Sequence, residues 1–310
     1  MQAILDTIFN KPIGLILNFL SDITGGKFAL AVFLFTLIIN LALIPLSIKT
    51  QRTSAQQTRI KPKLDLLRKK YADDQMRLNQ ETNRLYQEEK ISATSGCLPM
   101  LIRMLFLMAI FYSITRPLTI ILGMPSEQIN TAAEALKTLG SAGKSNYQEL
   151  AILGNLSELG NAGAPIAAAL EASHLDFTLF GLDLTATPKF SINIFNDFQM
   201  IWLIPLTSFA AAMLTSIINL QLQKKSNPDA PRMTGMMLTM PLISLWIAFT
   251  VPAAVGLYWV YSNLISGGIQ IIISQIYNPF KIIANDQAKA VLARRADEQN
   301  RMKAKERTAE

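Results

Sequence analysis

Long apolar runs without charge are the main pattern along this chain, and they predict membrane-spanning helices. A helix needs about 20 largely apolar residues to cross roughly 30 Å of hydrocarbon. The last run, residues 233–276, is uncharged throughout and long enough for two crossings with a turn at Pro252. The five predicted spans are residues 28–48, 98–122, 198–222, 233–251 and 253–276. The predicted fold is an all-α polytopic membrane protein.

The composition agrees with this prediction. Half of the 310 residues are hydrophobic, 16% are charged and the mean hydropathy is +0.28, whereas a typical soluble domain has about 25% charged residues. A soluble enzyme and a secreted disulfide scaffold are therefore disfavoured. Cys97 is the single cysteine and His174 the single histidine, so an intrachain disulfide, a multi-cysteine metal site and a His–His metal motif are excluded.

The distribution of lysine and arginine predicts the orientation, because loops rich in these residues stay in the cytoplasm. Residues 49–90 contain eleven Lys/Arg and six Asp/Glu. Residues 223–232 contain three Lys/Arg and one Asp, and the tail after residue 278 contains eight Lys/Arg and five Asp/Glu. Residues 123–197 contain only three Lys/Arg but eight Asp/Glu. The N-terminus is therefore predicted outside and the C-terminus in the cytoplasm.

Two segments outside the spans, one at the N-terminus and one after the first span, have apolar patterns of their own. Residues 1–27 have a broken apolar pattern, typical of an amphipathic helix on the outer surface or of a tail packed against the spans. Residues 49–92 are predicted to be a cytoplasmic helical hairpin with a turn at residues 71–74 and Asp73 or Asp74 capping its second arm. The apolar stripes of its two arms are Ile60, Leu64 and Leu67, and Leu78 and Leu85.

The remaining segments are two loops and a tail. The extracytoplasmic loop, residues 123–197, is rich in Ala and Gly and is predicted to contain small helices, with His174 as an ordinary exposed residue. Residues 223–232 are a short cytoplasmic loop. The basic cytoplasmic tail, residues 277–310, lacks an apolar stripe and is predicted to be flexible or to become helical with a partner.

Catalysis is not indicated, because the five spans contain no Asp, Glu, His or Lys and no phosphate-binding glycine loop is present. No cofactor and no metal is predicted. The spans do contain Arg103, about five residues inside its cytoplasmic end and hence about 8 Å deep at a rise of about 1.5 Å per residue. A charge in lipid costs at least ~2.5 kcal/mol, so Arg103 either faces a cavity or snorkels to the headgroups. Arg116 is interpreted as an anchor at the outer interface.

Several motifs together resemble those of the YidC membrane protein insertases, in their short five-span form without a large extracytoplasmic domain. The similarity extends over roughly residues 20–280. The motifs are PLSIK at 45–49, KPK at 61–63, LNQE at 78–81, GCLPMLI at 96–102, LFGLDL at 179–184, MPLIS at 240–244, PAAVGLYW at 252–259, and Asn263.

This resemblance implies a membrane protein insertase and chaperone of the bacterial cytoplasmic membrane, acting alone or with the Sec translocon. Members of the family have a hydrophilic groove that is open to the cytoplasm and lipid. Nascent membrane proteins are the implied substrates. The basic hairpin and tail would attract ribosomes, targeting factors and anionic lipids.

The sequence departs from the family at one position. The arginine that attracts acidic substrate segments precedes the proline of the Pro-Leu motif by five positions, and here that position is Asn40. Our hypothesis is that Arg103 supplies the charge instead, with Asn40 as its hydrogen-bonding neighbour. The residues predicted to line the groove are Arg103, Asn40, Thr36, Thr215, Ser216 and Asn219. The alternatives are a small transporter or channel, and a membrane scaffold without insertion activity.

Overall fold

The computed structural model describes residues 11–89, 98–140, 147–191, 197–226, 234–277 and short stretches between 284 and 299. The described residues are mostly α-helical, as predicted. The helices in chain order are α1 Lys11–Ile23, α2 Phe28–Ala42, α3 Ile44–Lys70, α4 Gln75–Glu88, α5 Leu98–Thr115, α6 Pro117–Ile120, α7 Ser126–Thr138, α8 Gln148–Gly154, α9 Ala164–Ser173, α10 Leu203–Ser226, α11 Thr234–Ala248 and α12 Ala253–Ile276. Short 3-10 helices cover Leu156–Glu158, Gly160–Ala162 and Met200–Trp202.

Parts of the predicted layout lie outside the described residues. These parts are residues 1–10 of the N-terminal segment, 90–92 of the hairpin, 141–146 and 192–196 of the predicted extracytoplasmic loop, 227–232 of the cytoplasmic loop, 233 of the fourth predicted span and most of the tail 277–310. The side chain of Arg103 also lies outside what the structure describes, although its backbone belongs to α5.

Within the described part of the chain, one small β-hairpin interrupts the helices. Strands β1 (Thr178–Leu179) and β2 (Leu182–Asp183) pair antiparallel, with Leu179 opposite Leu182. Phe180 and Gly181 between them both have positive φ, 51° and 79°, as a two-residue type I′ turn requires. The sequence indicated only an apolar patch here.

Two apolar runs that the hydropathy pattern joins are broken in the helical structure, and a proline stands at each break. α2 ends at Ala42, and α3 begins at Ile44 with Pro45 as its second residue. α5 ends before Arg116, and α6 begins at Pro117. Proline lacks an N–H donor and its ring clashes with the carbonyl four residues earlier, so a helix tends to restart at it. Hydropathy does not report this, because Ile44 and Pro117 lie within apolar stretches.

The length and composition of the described helices support one membrane span, or two if a bent pair is counted as one. The single helix that is long and apolar enough is Met200–Leu222, and the bent pair is Phe28–Ala42 with Ile44–Thr53. Two shorter apolar helices, Met104–Thr115 and Leu238–Ala248, lie within other predicted spans. The five-span layout stays a prediction.

The chain divides into two compact units. Unit 1 comprises Met1–Leu43, Ile102–Leu220 and Pro231–Gly268, and unit 2 comprises Ile44–Leu101, Gln221–Ala230 and Ile269–Glu310. All predicted groove residues belong to unit 1, and the hairpin α3–α4 belongs to unit 2.

Within unit 1, α1 packs against α2 and α6 with one face only. Ile13, Leu17 and Leu20 are buried in the main core, while Leu15 and Phe19 on the other side are exposed. The helix is therefore packed against its neighbours on one face, as the second interpretation of the N-terminal segment expects. Its opposite face is apolar and exposed, as the first interpretation, an amphipathic surface helix, expects.

The segment predicted to be the extracytoplasmic loop forms a second core within unit 1. Ile129 and Leu136 of α7, Ile152 of α8 and Ile166 of α9 are buried against one another, so the predicted small helices are present. His174 follows α9 in the left-handed conformation with φ 51° and is exposed, in agreement with the prediction of an ordinary surface residue.

In unit 2, α3 and α4 are connected by a tight turn. The side chain of Asp74 caps α4 by accepting a hydrogen bond from the backbone N–H of Arg77 at 2.9 Å, one of the two caps predicted. Ile60 of α3 and Leu85 of α4, from the two predicted apolar stripes, are buried. At the far end from the turn, Glu89 accepts hydrogen bonds from Arg59 at 2.8 Å and from Lys63.

We expect Glu89→Gln to loosen this hairpin. The hydrogen bond and charge of Lys63, with the charge of Arg59, lower the pKa of Glu89 below its ordinary value of 4.5 against the opposing effect of burial. The stabilisation is thus fully present above about pH 4.5 and is lost as the pH falls through the lowered pKa. Partly exposed ion pairs contribute about 0.2–1 kcal/mol, so amide hydrogen exchange in α4 at pH 7 should rise about 1.5- to 5-fold.

Glu88→Gln is the matched control, because Glu88 pairs with Arg84 inside α4 at 3.0 Å and not with α3. Equal exchange rates in the two variants would contradict a role for Glu89 in closing the hairpin. The effect of Glu89→Gln should also shrink in high salt.

Candidate functional site

The predicted groove residues lie on three helices of unit 1. Thr36 and Asn40 belong to α2, Arg103 to α5, and Thr215, Ser216 and Asn219 to α10. The structure therefore describes five of the six side chains, Arg103 being the exception.

On α2, Asn40 and Thr36 are one helical turn apart and differ in exposure. Asn40 is half-buried, and its side-chain nitrogen donates to the backbone carbonyl of Thr36 at 2.8 Å. Thr36 is 0% exposed, and its hydroxyl donates to the carbonyl of Val32 at 2.6 Å. Thr36 thus lies in the packed interior, and its backbone carbonyl orients the side chain of Asn40. The side-chain oxygen of Asn40 accepts no hydrogen bond from another described residue.

On α10, Thr215 contacts α12 directly. Its hydroxyl lies 2.9 Å from the carbonyl oxygen of Ala211 and 3.2 Å from that of Asn263. Asn263 in turn donates from its side-chain nitrogen to the carbonyl of Trp259 at 2.8 Å. Asn263 stands out in the sequence only as part of a motif, and its place beside Thr215 could not be predicted from spacing.

Two glycines allow α10 and α12 to approach each other. A Cβ on Gly256 would lie 2.9 Å from the side chain of Ile204, and a Cβ on Gly267 would lie 3.1 Å from the Thr215 hydroxyl. Ile204 and Thr215 are as far apart in the sequence of α10 as Gly256 and Gly267 are in the sequence of α12, and they follow in the same order. The two helices α10 and α12 therefore run parallel here. Small residues at helix contacts in membranes permit this close packing.

Ser216 and Asn219 complete the predicted set on α10. Both are half-buried, and neither side chain hydrogen-bonds another described residue. Half-buried polar groups without protein partners require water or a ligand as partner, since an unsatisfied polar group in hydrocarbon costs several kcal/mol.

Four helices of unit 1, α2, α5, α10 and α12, have their buried residues concentrated at one end. In α2 the buried residues all lie within 28–36, in α5 within 109–115 and in α10 within 204–211, while α12 begins with a buried run at 253–258. In the predicted orientation these are the outer ends. The predicted inner parts of α2 and α10, and the described side chains of 101–108, are half-buried or exposed.

Polar side chains occur at both ends of these helices, and those at the packed ends are the buried hydroxyl residues Thr36, Ser113, Thr115 and Ser208. Asn40, Ser216 and Asn219 all lie on the loosely packed parts of their helices, as do Asn263 and Ser266 of α12. The buried ends are mostly apolar, with Phe28, Phe35, Ile114 and Val255 almost completely enclosed. No group of three or more His, Cys, Asp or Glu that could hold a metal ion occurs among the described residues.

Comparison with known proteins identifies the class. Residues 19–280 match the family described as 60Kd inner membrane protein, and the chain belongs to this family. "Membrane protein insertase YidC 2" of Listeria innocua is 27% identical over 298 residues, which is 95% of this chain and 78% of that protein. "Membrane protein insertase YidC" of Rickettsia rickettsii is 26% identical over 272 residues, which is 87% of this chain and 38% of that protein.

These matches confirm the resemblance to the YidC insertases. "Membrane protein insertase YidC 1" of Listeria monocytogenes is similar to the same degree, with 26% identity over 95% of this chain and 78% of that protein. The chain thus spans about four fifths of the Listeria relatives but well under half of the Rickettsia relative. The family and the bacterial relatives place the chain in a bacterial plasma membrane.

Proposed function

We propose that this chain is a membrane protein insertase that passes short hydrophilic segments of nascent membrane proteins through a polar groove in unit 1. The observation that carries the proposal is the burial pattern of α2, α5, α10 and α12, whose predicted outer ends are packed while their inner parts are mostly half-buried or exposed and include the half-buried Asn40, Asn219 and Asn263. The names of the relatives support the activity. No catalytic step is involved.

The groove would act by shortening the apolar distance that a hydrophilic segment must cross. Asn40, Ser216 and Asn219 supply half-buried polar side chains that could hydrogen-bond water, so the inner part of unit 1 would be hydrated. A polar peptide end entering from the cytoplasm would then cross only the packed outer part. Moving polar groups through a thinner apolar layer costs less free energy.

The driving force would come from the substrate itself. As the hydrophilic segment crosses, the hydrophobic helix of the substrate leaves the groove sideways into lipid. Burial of its apolar surface is favourable by about 25 cal/mol per Å², so no nucleotide is required. The same open groove would let the protein act as a chaperone that retains a partly inserted helix.

Arg103 would provide the attraction for acidic substrate segments. It lies on α5, five residues from the start of the helix, and Asn40 occupies the family position of the charge. A guanidinium in a poorly solvated groove interacts strongly with a carboxylate. Arg103 on α5 would then be the attracting charge, and Asn40 on α2 would be its hydrogen-bonding neighbour.

The cytoplasmic segments would recruit partners. The arms of the hairpin expose Lys69, Lys70 and Arg77, among other basic residues, which suits ribosomes, targeting factors and anionic lipid headgroups. The basic tail 277–310 would contribute in the same way. We place the N-terminus outside and the C-terminus in the cytoplasm, with the Sec translocon as a further partner.

Water accessibility tests the groove directly. In a Cys97→Ser background, Asn40→Cys and Asn219→Cys should react with a water-soluble maleimide about tenfold or more faster than Ile38→Cys, because maleimide attacks the thiolate, which forms in water and not in hydrocarbon. Ile38 is the matched control, since it lies two residues from Asn40 and is 47% exposed. The labelling rate in sealed inside-out vesicles is the measurement.

Ala31→Cys serves as a second control, since Ala31 is 0% exposed in the packed end of α2 and should stay unlabelled. Slow labelling at position 40, equal to that at position 38, would mean that this surface faces lipid. The groove would then be rejected even though family membership would stand.

A further inference from the structure

A cavity separate from the proposed groove lies where the outer loop meets the end of α5. Its volume is about 380 Å³, within the range of about 300–1,000 Å³ found for small-molecule sites. Tyr112 lines it from the last turn of α5 and Arg116 from directly after that helix, Asn130 lines it from α7, and Tyr147 and Glu149 line it from just before and within the first turn of α8. All of these residues belong to unit 1.

Arg116 brings a positive charge to this cavity. Its guanidinium lies 5.5 Å from the ring centroid of Tyr112, within reach of a cation–π contact. Among the described residues it forms no ion pair with a carboxylate. The side chain is exposed at the helix end, so its donors are available to an anion.

Glu149 brings a carboxylate to the same cavity, and this group is buried. It is 7% exposed and accepts hydrogen bonds from the backbone N–H and the hydroxyl of Thr119 at 3.0 Å and 2.5 Å. Burial raises the pKa of Glu149 above its ordinary value, although these hydrogen bonds and the charge of Arg116 oppose the shift. A carboxylate has about four acceptor positions, so further donors can bind it.

Aromatic rings form another wall of the cavity. Phe111 and Tyr147 lie edge to face with their centroids 6.0 Å apart, and both line the cavity. An ammonium group is attracted both to a carboxylate and to aromatic faces. The cavity therefore offers a donor-rich cation and, beside it, an acceptor-rich anion with aromatic rings.

We propose that this cavity binds a zwitterionic phosphoethanolamine group, with its phosphate at Arg116 and its ammonium at Glu149 and the aromatic wall. A purely anionic group would use Arg116 but would leave Glu149 as a repelling neighbour. A phospholipid is the source that we favour, because Arg116 directly follows α5 and lies near the outer end of the second predicted span, residues 98–122. This choice of source depends on the proposed membrane orientation, whereas the ligand chemistry does not.

The test is lipid binding to the purified full chain in detergent, measured by native mass spectrometry with short-chain phosphatidylethanolamine and phosphatidylglycerol of equal acyl length. Phosphatidylethanolamine should bind about tenfold more tightly, since an ammonium–carboxylate contact is present only there. Arg116→Gln should weaken binding of both lipids about tenfold. Lys137→Gln is the control, because Lys137 is an exposed cation in the last turn of α7 and does not line the cavity.

Glu149→Gln should remove the preference for phosphatidylethanolamine over phosphatidylglycerol. If the Glu149→Gln variant does not fold, lipid binding by the Arg116→Gln variant still tests the proposal, because Arg116 is exposed and its substitution leaves the core intact. Equal affinity of the native chain for both lipids, or unchanged binding in Arg116→Gln, would overturn the proposal.

Free phosphoethanolamine distinguishes the source of the ligand. If free phosphoethanolamine binds more weakly than phosphatidylethanolamine, a membrane lipid is supported as the natural ligand. If the two bind with equal affinity, a soluble phosphoethanolamine in the same site is supported. Insertion activity is not part of this measurement, so a failure here is separate from a failure of the proposed function.

Discussion

Arg103→Gln is expected to reduce insertion of a substrate with an acidic outer segment by about tenfold or more. The physical reason is the loss of a charge-assisted hydrogen bond in a poorly solvated groove, and such bonds contribute about 1.5–3 kcal/mol. Glutamine preserves polarity and hydrogen-bonding capacity, so the change isolates the charge. The measurement is the rate of insertion into proteoliposomes that contain the purified chain and no other translocation factor.

Two comparisons make this prediction specific. A substrate whose outer segment carries no acidic residue should insert at nearly the native rate, because its insertion does not depend on the positive charge. In the Arg103→Gln background, Asn40→Arg should restore insertion of the acidic substrate, since it returns the charge to the family position. Native-level insertion of the acidic substrate by Arg103→Gln alone would reject a relocated charge, and the insertase assignment would remain.

Gly26→Ala is expected to destabilise the protein by about 3 kcal/mol or more. Gly26 has φ 82°, and a left-handed conformation costs a residue with a side chain about 1–2 kcal/mol. In addition, a Cβ at this position would lie 1.7 Å from the carbonyl oxygen of His174. The neighbouring backbone cannot move easily, because the carbonyl of Gly26 accepts from the N–H of Asp176 at 2.8 Å and the N–H of Phe28 donates back to Asp176 at 3.1 Å.

Gly25→Ala is the matched control for this clash. Gly25 also has a positive φ, 66°, but nothing lies within 4 Å of a Cβ added there. This variant should lose only about 1–2 kcal/mol, the conformational part of the effect. Thermal unfolding of the purified chains in the same detergent gives the comparison, and equal midpoints for the two variants would show that the approach of residues 26 and 174 is not tight.

Local features of the fold were predictable because they depend on neighbouring residues. Asp74 caps α4 because an aspartate before a helical pattern can accept from the backbone N–H three residues on. The small helices of the outer loop follow from its Ala-rich composition and its glycines. The β-turn at Phe180 and Gly181 was missed because a phenylalanine at positive φ is uncommon, so its sequence carries little turn signal.

The candidate groove was predictable only as a set of polar residues on apolar helices. Pattern and resemblance selected Thr36 and Asn40 together, but only packing separates a buried residue from a half-buried one. Thr215 was selected as a lining residue, and the structure adds its contact with the carbonyl of Asn263. That contact joins residues 48 positions apart, a distance at which spacing gives no information.

By itself, the amino-acid sequence determined the helical class, the apolar runs, the charge asymmetry and the family, because each is a property of consecutive residues or of their order. Only the tertiary structure decided which ends of α2, α5, α10 and α12 are packed, where residues 26–28 pair with Asp176, and that Arg116 and Glu149 line one cavity. The physical reason is that burial and close approach depend on atoms from distant segments meeting in space. Neither hydropathy nor local propensity contains that information.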